Sequence, residues 1–339
     1  MKKYLFTFFW VCLVITGYAQ EQNGNIYGVA FYNLENLFDT IHDEGKKDYE
    51  YLPEGRNKWD NTKYQSKLKN MSTVLGLLAT DKTSEGVAVI GMAEVENRHV
   101  LEDLLKQPAL ANRGYEIIHY EGPDERGVDC AFFYNPKLYT VTATKLVPYV
   151  LAQPTDRPTR GFLIADGRLA GERVAFIVNH WPSRGAASSA RERAGMQVRA
   201  LKDSLQRLDS KIKIVIMGDM NDDPMDKSMA EALGAKRNMK NVKKGDLYNP
   251  WWNTLAEGEG TLKYRGKWNL FDQIVFTGNF LNKRHKKLSY LNHEIFRRDF
   301  LIQADGKYKG YPLRTQAGGR WMNGYSDHLP TVVFFIKKR

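Results

Sequence analysis

Stacked β-sheets with helices outside them, an α+β arrangement, are what this sequence predicts, and three observations predict it. Short apolar runs recur along the chain, only two stretches carry a clear helical period, and no repeat or Pro/Gly/Ser-rich linker divides it. A run of five to eight apolar or alternating residues buries one or both faces of a strand, whereas a helix needs apolar residues every three or four.

In chain order the candidate strands are Ile26 to Tyr32, Val87 to Met92, Tyr115 to Tyr120 and Val128 to Tyr134. Val174 to Asn179, Ile212 to Met217, Phe271 to Thr277 and Thr331 to Ile336 complete the set. Tyr64, Leu68, Met71, Leu75 and Leu78 step by three and four and predict a helix after the first strand. Ala194, Val198, Leu201, Leu205 and Leu208 predict another before the sixth. With 42% apolar and 12% aromatic residues among 339, one large core is affordable, and a single domain over 25–339 is the simplest organisation.

The first residues belong to something else. Lys2 and Lys3 precede an apolar stretch from Leu5 to Ile15, and Gly17-Tyr18-Ala19-Gln20 has the small-residue pattern of a cleavage site after Ala19. Residues 1–19 therefore read as a signal peptide, too short in its apolar part to span a bilayer as a stable anchor. An exported protein, periplasmic or secreted, is the expectation. Losing this leader removes Cys12 and leaves Cys130 alone, so no intramolecular disulfide forms. The formal net charge of +11, reduced by only two lysines, is compatible with a polyanionic partner such as nucleic acid or acidic head groups.

Chemistry-bearing residues cluster at strand ends, where a rigid scaffold exposes side chains. Asp219 and Asn221 follow the apolar run Ile212 to Ile216; in an extended segment they point the same way and converge on one phosphate or water. Asp222-Asp223-Pro224 reads as a turn. Asp327 and His328 precede the last strand, the carboxylate suiting Mg²⁺ or Mn²⁺ and the imidazole a phosphate oxygen. Glu94 ends an apolar strand and is a candidate metal ligand, with Glu96 competing. Asn33 ends the first strand and either orients a phosphate or a metal-bound water or caps the turn that follows, with Glu35 beside it reading as a surface acid. His180, before Trp181-Pro182-Ser183-Arg184, suits an anionic substrate together with Arg184. Asp272 sits among apolar neighbours and needs a partner, for which His328 is the candidate. Arg126 and Asp129 either enter the site, Arg126 as a substrate-binding residue, or belong to a charged loop leading into a strand, the favoured reading. Arg157, Arg160, Arg191 and Arg193 either track a nucleic-acid backbone or, for the two on the helix, form a solvated face. Trp181, Trp251, Trp252 and Trp321 either stack on bases or pack in the core.

Taken in order, Gly218-Asp219-Met220-Asn221, the isolated Asp272 and Ser326-Asp327-His328 resemble the endonuclease/exonuclease/phosphatase superfamily. Tyr32-Asn33-Leu34-Glu35-Asn36-Leu37-Phe38-Asp39 and Asn179-His180-Trp181-Pro182-Ser183-Arg184 look like a branch of exported bacterial proteins named as endonucleases. The resemblance implies a four-layer α/β/β/α sandwich, two mostly antiparallel sheets face to face. It implies an Mg²⁺- or Mn²⁺-dependent phosphodiesterase, with Glu94, Asn33 and Asp327 at the metal. Asp219 would orient or deprotonate water, Asn221 would hold phosphate or water, His328 backed by Asp272 would bind the scissile phosphate, and His180 would face it. Nucleic acid is the expected substrate and a small or lipid phosphoester the alternative. A non-catalytic binding module is disfavoured, because each of these positions carries a chemically competent residue. The chain departs from the family pattern in placing Ala93, where glutamine is usual, before Glu94, and in offering no evident glutamate partner for His180.

Overall fold

The computed structural model describes residues 24–338, so the leader lies outside the described residues. The strands are β1 (Asn25–Leu37), β2 (Val87–Val95), β3 (Glu116–His119), β4 (Asp129–Tyr134), β5 (Tyr139–Val147), β6 (Phe162–Leu169), β7 (Glu172–His180) and β8 (Lys213–Asp219). They continue through β9 (Ala235–Lys236), β10 (Leu247–Tyr248), β11 (Leu262–Tyr264), β12 (Lys267–Asn269), β13 (Asp272–Thr277) and β14 (Ser289–Ile295). The last are β15 (Gln316–Ala317), β16 (Arg320–Trp321) and β17 (Thr331–Lys337). Four α-helices intervene: α1 (Asn61–Leu77), α2 (Arg98–Leu105), α3 (Ser188–Leu208) and α4 (Trp251–Ala256).

Six strands form one sheet in the order β14-β17-β1-β2-β4-β3, and seven form the other in the order β5-β6-β7-β8-β13-β10-β9. Both are mostly antiparallel, and each has a parallel pair near its middle, β1 with β2 and β7 with β8. The sheets pack face to face through side chains such as Phe31, Val89, Phe132, Phe176, Val178 and Met217. At Gly91 a side chain would collide with Met217 Sδ at 2.4 Å, so its absence lets the sheets close on each other there. Helix α3 covers the outside of the second sheet, laying Ala194 and Val198 on Ile177, Ile214 and Ile216. Helix α1 buries Leu68, Met71, Val74 and Leu75 in the larger cluster that contains the first sheet, completing the four layers.

Every strand expected from apolar runs is present, and both predicted helices are. The two- and three-residue strands β9, β10, β11, β12, β15 and β16 are additional, and so are the longer β5, β6 and β14. Their inward faces alternate with polar residues, as in Tyr139 to Val147, so no continuous apolar run betrays them. Among the described residues, no helix is long and apolar enough to cross a membrane.

Candidate active site

The strands point their candidate residues to one end of the sandwich. Asn33, Glu94, His180 and Asp219 lie toward the C-terminal ends of β1, β2, β7 and β8, while Asp272 starts β13 and His328 precedes β17. Register locks this convergence: His180 pairs with Asp219, and Asp219 pairs with Asp272, across three adjacent strands.

Asp219 is the hub. Its Oδ1 accepts the Asn221 backbone N–H at 2.9 Å and its Oδ2 accepts Asn33 Nδ2 at 3.0 Å. The Asn33 amide also reaches Glu94 Oε1 at 3.2 Å, while Glu94 Oε2 accepts the Asn36 N–H at 3.0 Å. His180 Nε2 stands 3.8 Å from Glu94 Oε1 and 3.7 Å from Asp219 Oδ2, and its Nδ1 is buried without a hydrogen-bond partner. His328 Nδ1 lies 2.7 Å from Asp272 Oδ2, leaving Nε2 facing Asp219 Oδ2 at 3.8 Å and Asp327 Oδ1 at 3.9 Å. The fully buried Asp272 thus has the partner that its apolar setting demanded.

Backbone strain concentrates here. Glu35, Asn36, Glu94 and Asn221 all adopt left-handed conformations, with φ of 48°, 54°, 60° and 51°. Such angles cost a non-glycine residue of order 1 kcal/mol each and persist where surrounding contacts hold them. Asn221 therefore departs from the extended geometry expected of it. Its chain turns, and its Nδ2 donates to the Trp181 carbonyl at 3.0 Å instead of running parallel to Asp219.

The electrostatics separate the titratable groups. Burial pushes the Asp219 carboxyl up to about 7, with neighbouring Asp272 adding to the rise and His328 opposing it. Burial pulls His328 down, but Asp272 and Asp219 outweigh it and hold the imidazolium well above its ordinary range. For His180, burial and then the cations Arg160 and Arg126 depress the pKa well below normal, so this ring is neutral.

Several expectations are corrected. Glu35 is no surface acid: it is buried, accepts the Thr315 N–H at 2.7 Å, and pairs with Arg314 at 2.8 Å. Glu96 turns away from Glu94 and accepts the Asp39 N–H at 2.7 Å. The Arg184 guanidinium contacts Asp222, Asp223 and Asp226 and lies over the Phe271 ring, so it braces the loop after β8. Arg191 is not a solvated helix residue; it is buried against Asp222 at 2.8 Å, and Asp222 and Asp223 thereby anchor the turn. Trp181 and Trp251 are buried core residues, leaving no ring face open to solvent.

Sequence reasoning missed Arg314 and Lys67. Arg314 bridges Glu35 and Asp327, the latter at 3.0 Å. Lys67 is buried and donates to the Tyr325 carbonyl at 2.6 Å, supporting the segment that carries Asp327. A signal existed for Lys67, which falls on the apolar face of α1 beside Leu68. Arg314 lies in a loop and gave none.

A cleft of about 920 Å³ opens over the site, lined by Glu94, Arg126, Arg157, His180, Asp219 and His328 among others. The profile of the endonuclease/exonuclease/phosphatase family matches residues 28–338. The chain belongs to that family. Members of the family are phosphoester hydrolases that depend on divalent metal. No curated protein sequence matches the chain significantly. Among solved structures, Danio rerio TDP2 complexed with a single-strand DNA product is similar, with TM-score 0.55 and 15% identity over 91% of this chain and 98% of that one. ANGEL2, a 2′,3′-cyclic phosphatase in complex with adenosine-2′,3′-vanadate, gives 0.60 and 12% over 94% and 97%. The mannosyl-6-phosphatase of Bacteroides thetaiotaomicron gives 0.55 and 15% over 91% and 99%. At these identities the likeness shows the fold.

Proposed function

We propose that the chain is an exported, divalent-metal-dependent phosphodiesterase that hydrolyses nucleic acid by direct attack of water. The observation that carries this reading is the convergence of Asp219, His328 and Asp272 at one buried strand end, with His328 Nδ1 2.7 Å from Asp272 Oδ2 and its Nε2 3.8 Å from Asp219 Oδ2. A base is most effective when its pKa lies near the working pH, and a cation a few ångströms away suits a phosphate whose charge grows in the transition state.

In this reading Asn33 and the Asn221 N–H fix the Asp219 carboxylate so that it orients a water and takes its proton. His328 presents Nε2–H to a non-bridging phosphate oxygen. Neutral His180 closes the opposite wall. The cleft lining fits a metal ion: it counts six carboxylates against four arginines and would otherwise repel a phosphate. Glu94 and Asp327 are oxygen donors of the kind Mg²⁺ or Mn²⁺ prefers, and they are the residues that would hold it, while Asn33, whose oxygen accepts the Glu35 N–H, positions Glu94 through its amide N–H. Once bound, such an ion supplies charge neutralisation at the phosphate and leaving oxygen. Arg314, between Glu35 and Asp327, keeps Asp327 aimed.

Nucleic acid is favoured over a compact phosphoester because Arg126, Arg157 and Arg193 line the cleft beyond the reacting groups, where a polymer backbone would continue. The test is hydrolysis of single-stranded DNA, duplex DNA, RNA, sphingomyelin and phosphomonoesters, each with Mg²⁺ and with chelator. Cleavage of phosphomonoesters alone would replace the nuclease by a phosphatase. Export is tested by fractionating the native host and sequencing the mature N-terminus, expected at Gln20.

A further inference from the structure

Away from the cleft, β3 and β4 bring together three residues that the proposed chemistry does not use. His119 pairs with Ala131 across the two strands, so Asp129, two positions from Ala131, projects on the same face. Glu121 follows His119 by two residues. Single donor atoms from His119, Glu121 and Asp129 all lie within 4.8 Å of one another.

The His119 side chain is 3% exposed and that of Asp129 4%, yet neither His119 Nε2 nor Asp129 Oδ2 has a hydrogen-bond partner. Unpartnered buried polar atoms cost of order 1–3 kcal/mol each, so native structures seldom leave two side by side. Their separation is 3.4 Å. An imidazolium and a carboxylate in direct contact close to about 2.7–2.9 Å. Two donors on one tetrahedral zinc, each about 2.0–2.1 Å from the ion, stand about 3.4 Å apart. Room for the carboxylate is made by Gly122, where a side-chain carbon would come within 2.3 Å of Asp129 Oδ1. Lys46 pins this loop by donating to the Gly122 carbonyl at 2.9 Å.

We propose that His119, Asp129 and Glu121 form a second metal site, distinct from the candidate catalytic centre, that takes a divalent transition ion of the zinc type. One imidazole with two carboxylates favours such an ion over Mg²⁺, which avoids nitrogen donors and keeps its waters. The more exposed Glu121 is the donor that swings in, since its Oε1 now lies 3.9 Å from the other ring nitrogen, Nδ1. Such a site would tie the end of β3 to the start of β4, which pairs with β2 beside Glu94.

The experiment is calorimetric titration of ZnCl₂ into the Glu94→Gln/Asp327→Asn chain, in which the candidate catalytic donors are disabled. One ion per chain is expected, with a rise in melting temperature. Adding Glu121→Gln should weaken binding at least tenfold, and His119→Ala should abolish it. Glu121 is more than half exposed, so its replacement leaves the fold intact and the test readable even where His119→Ala does not fold. Absence of zinc binding by the parent chain, or binding that Glu121→Gln leaves unchanged, overturns the site and reduces it to a loose ion pair.

Discussion

The two ends of the sandwich carry clefts of nearly equal size and opposite character. At the candidate catalytic end about 920 Å³ is lined by six carboxylates and four arginines; at the other about 880 Å³ is lined by nine lysines and arginines and two acids. Volume does not distinguish them, and burial does. Asp219, Asp272 and His328 are held out of water by partners on three strands, whereas Lys244, Lys283, Lys286 and Lys287 are surface cations. Much of the basic balance of the chain therefore sits where no candidate chemistry does, and net charge alone does not locate a substrate. The end that perturbs its ionisable groups is the end that can do acid-base work.

Removing the perturbed groups should have the largest effect. Asp219→Asn keeps shape and hydrogen bonding but not the base, and His328→Ala removes the cation. Each should lower kcat/KM by about 10²–10⁴ while leaving circular dichroism unchanged. Turnover at the wild-type rate by a folded Asp219→Asn chain would empty the catalytic end of its meaning.

Arg314 comes next. Its loss leaves Glu35 buried beside Asp327 with Lys67 as the nearest remaining cation; burial and Asp327 already raise the Glu35 carboxyl to about 7. Arg314→Ala should destabilise the fold by about 1–3 kcal/mol, read from denaturant midpoints, because a buried carboxylate loses its partner while part of the guanidinium was solvated. Glu35→Gln in the same chain should restore part of that loss.

The basic end has one counterpart to these buried acids. Lys213 is 4% exposed in its side chain, and burial lowers it from 10.5 to about 8 despite Glu172. Its folded pKa lies below its unfolded one, so the unfolded chain binds the extra proton between pH 8 and 10.5. Stability should therefore rise with pH across that window relative to Lys213→Met, by at most about 3 kcal/mol, and the difference should be constant below pH 8. A flat difference throughout would mean that Lys213 is solvated like its neighbours.

How legible was this contrast in the chain itself? The strands that end at His180 and Asp219 were readable because buried central strands are continuous apolar runs, and each candidate residue stands where such a run stops. The need of Asp272 for a partner was readable too, since a carboxylate among Leu270, Phe271 and Ile274 has few alternatives. Arg314 and the burial of Glu35 were not: they meet across 279 positions of sequence, and no local pattern encodes a contact between a strand and a distant loop. The turn at Asn221 was missed for a different reason. Alternation describes residues within a strand, and β8 ends at Asp219.

The smallest expected effect is also the sharpest test of the comparison. Seven residues of β8 separate the two ends, roughly 20 Å at about 3.3 Å per residue, or two Debye lengths at physiological salt. Reversing charge at Lys283, Lys286 and Lys287 should then leave kcat/KM for a short oligonucleotide within about twofold, and its salt dependence unchanged. Arg157→Ala and Arg193→Ala, at the catalytic cleft, should flatten the salt dependence by up to about one unit of slope each. If the distant reversals flatten it instead, the basic end is part of the substrate path, and the division between an acid-base end and a merely solvated one is lost.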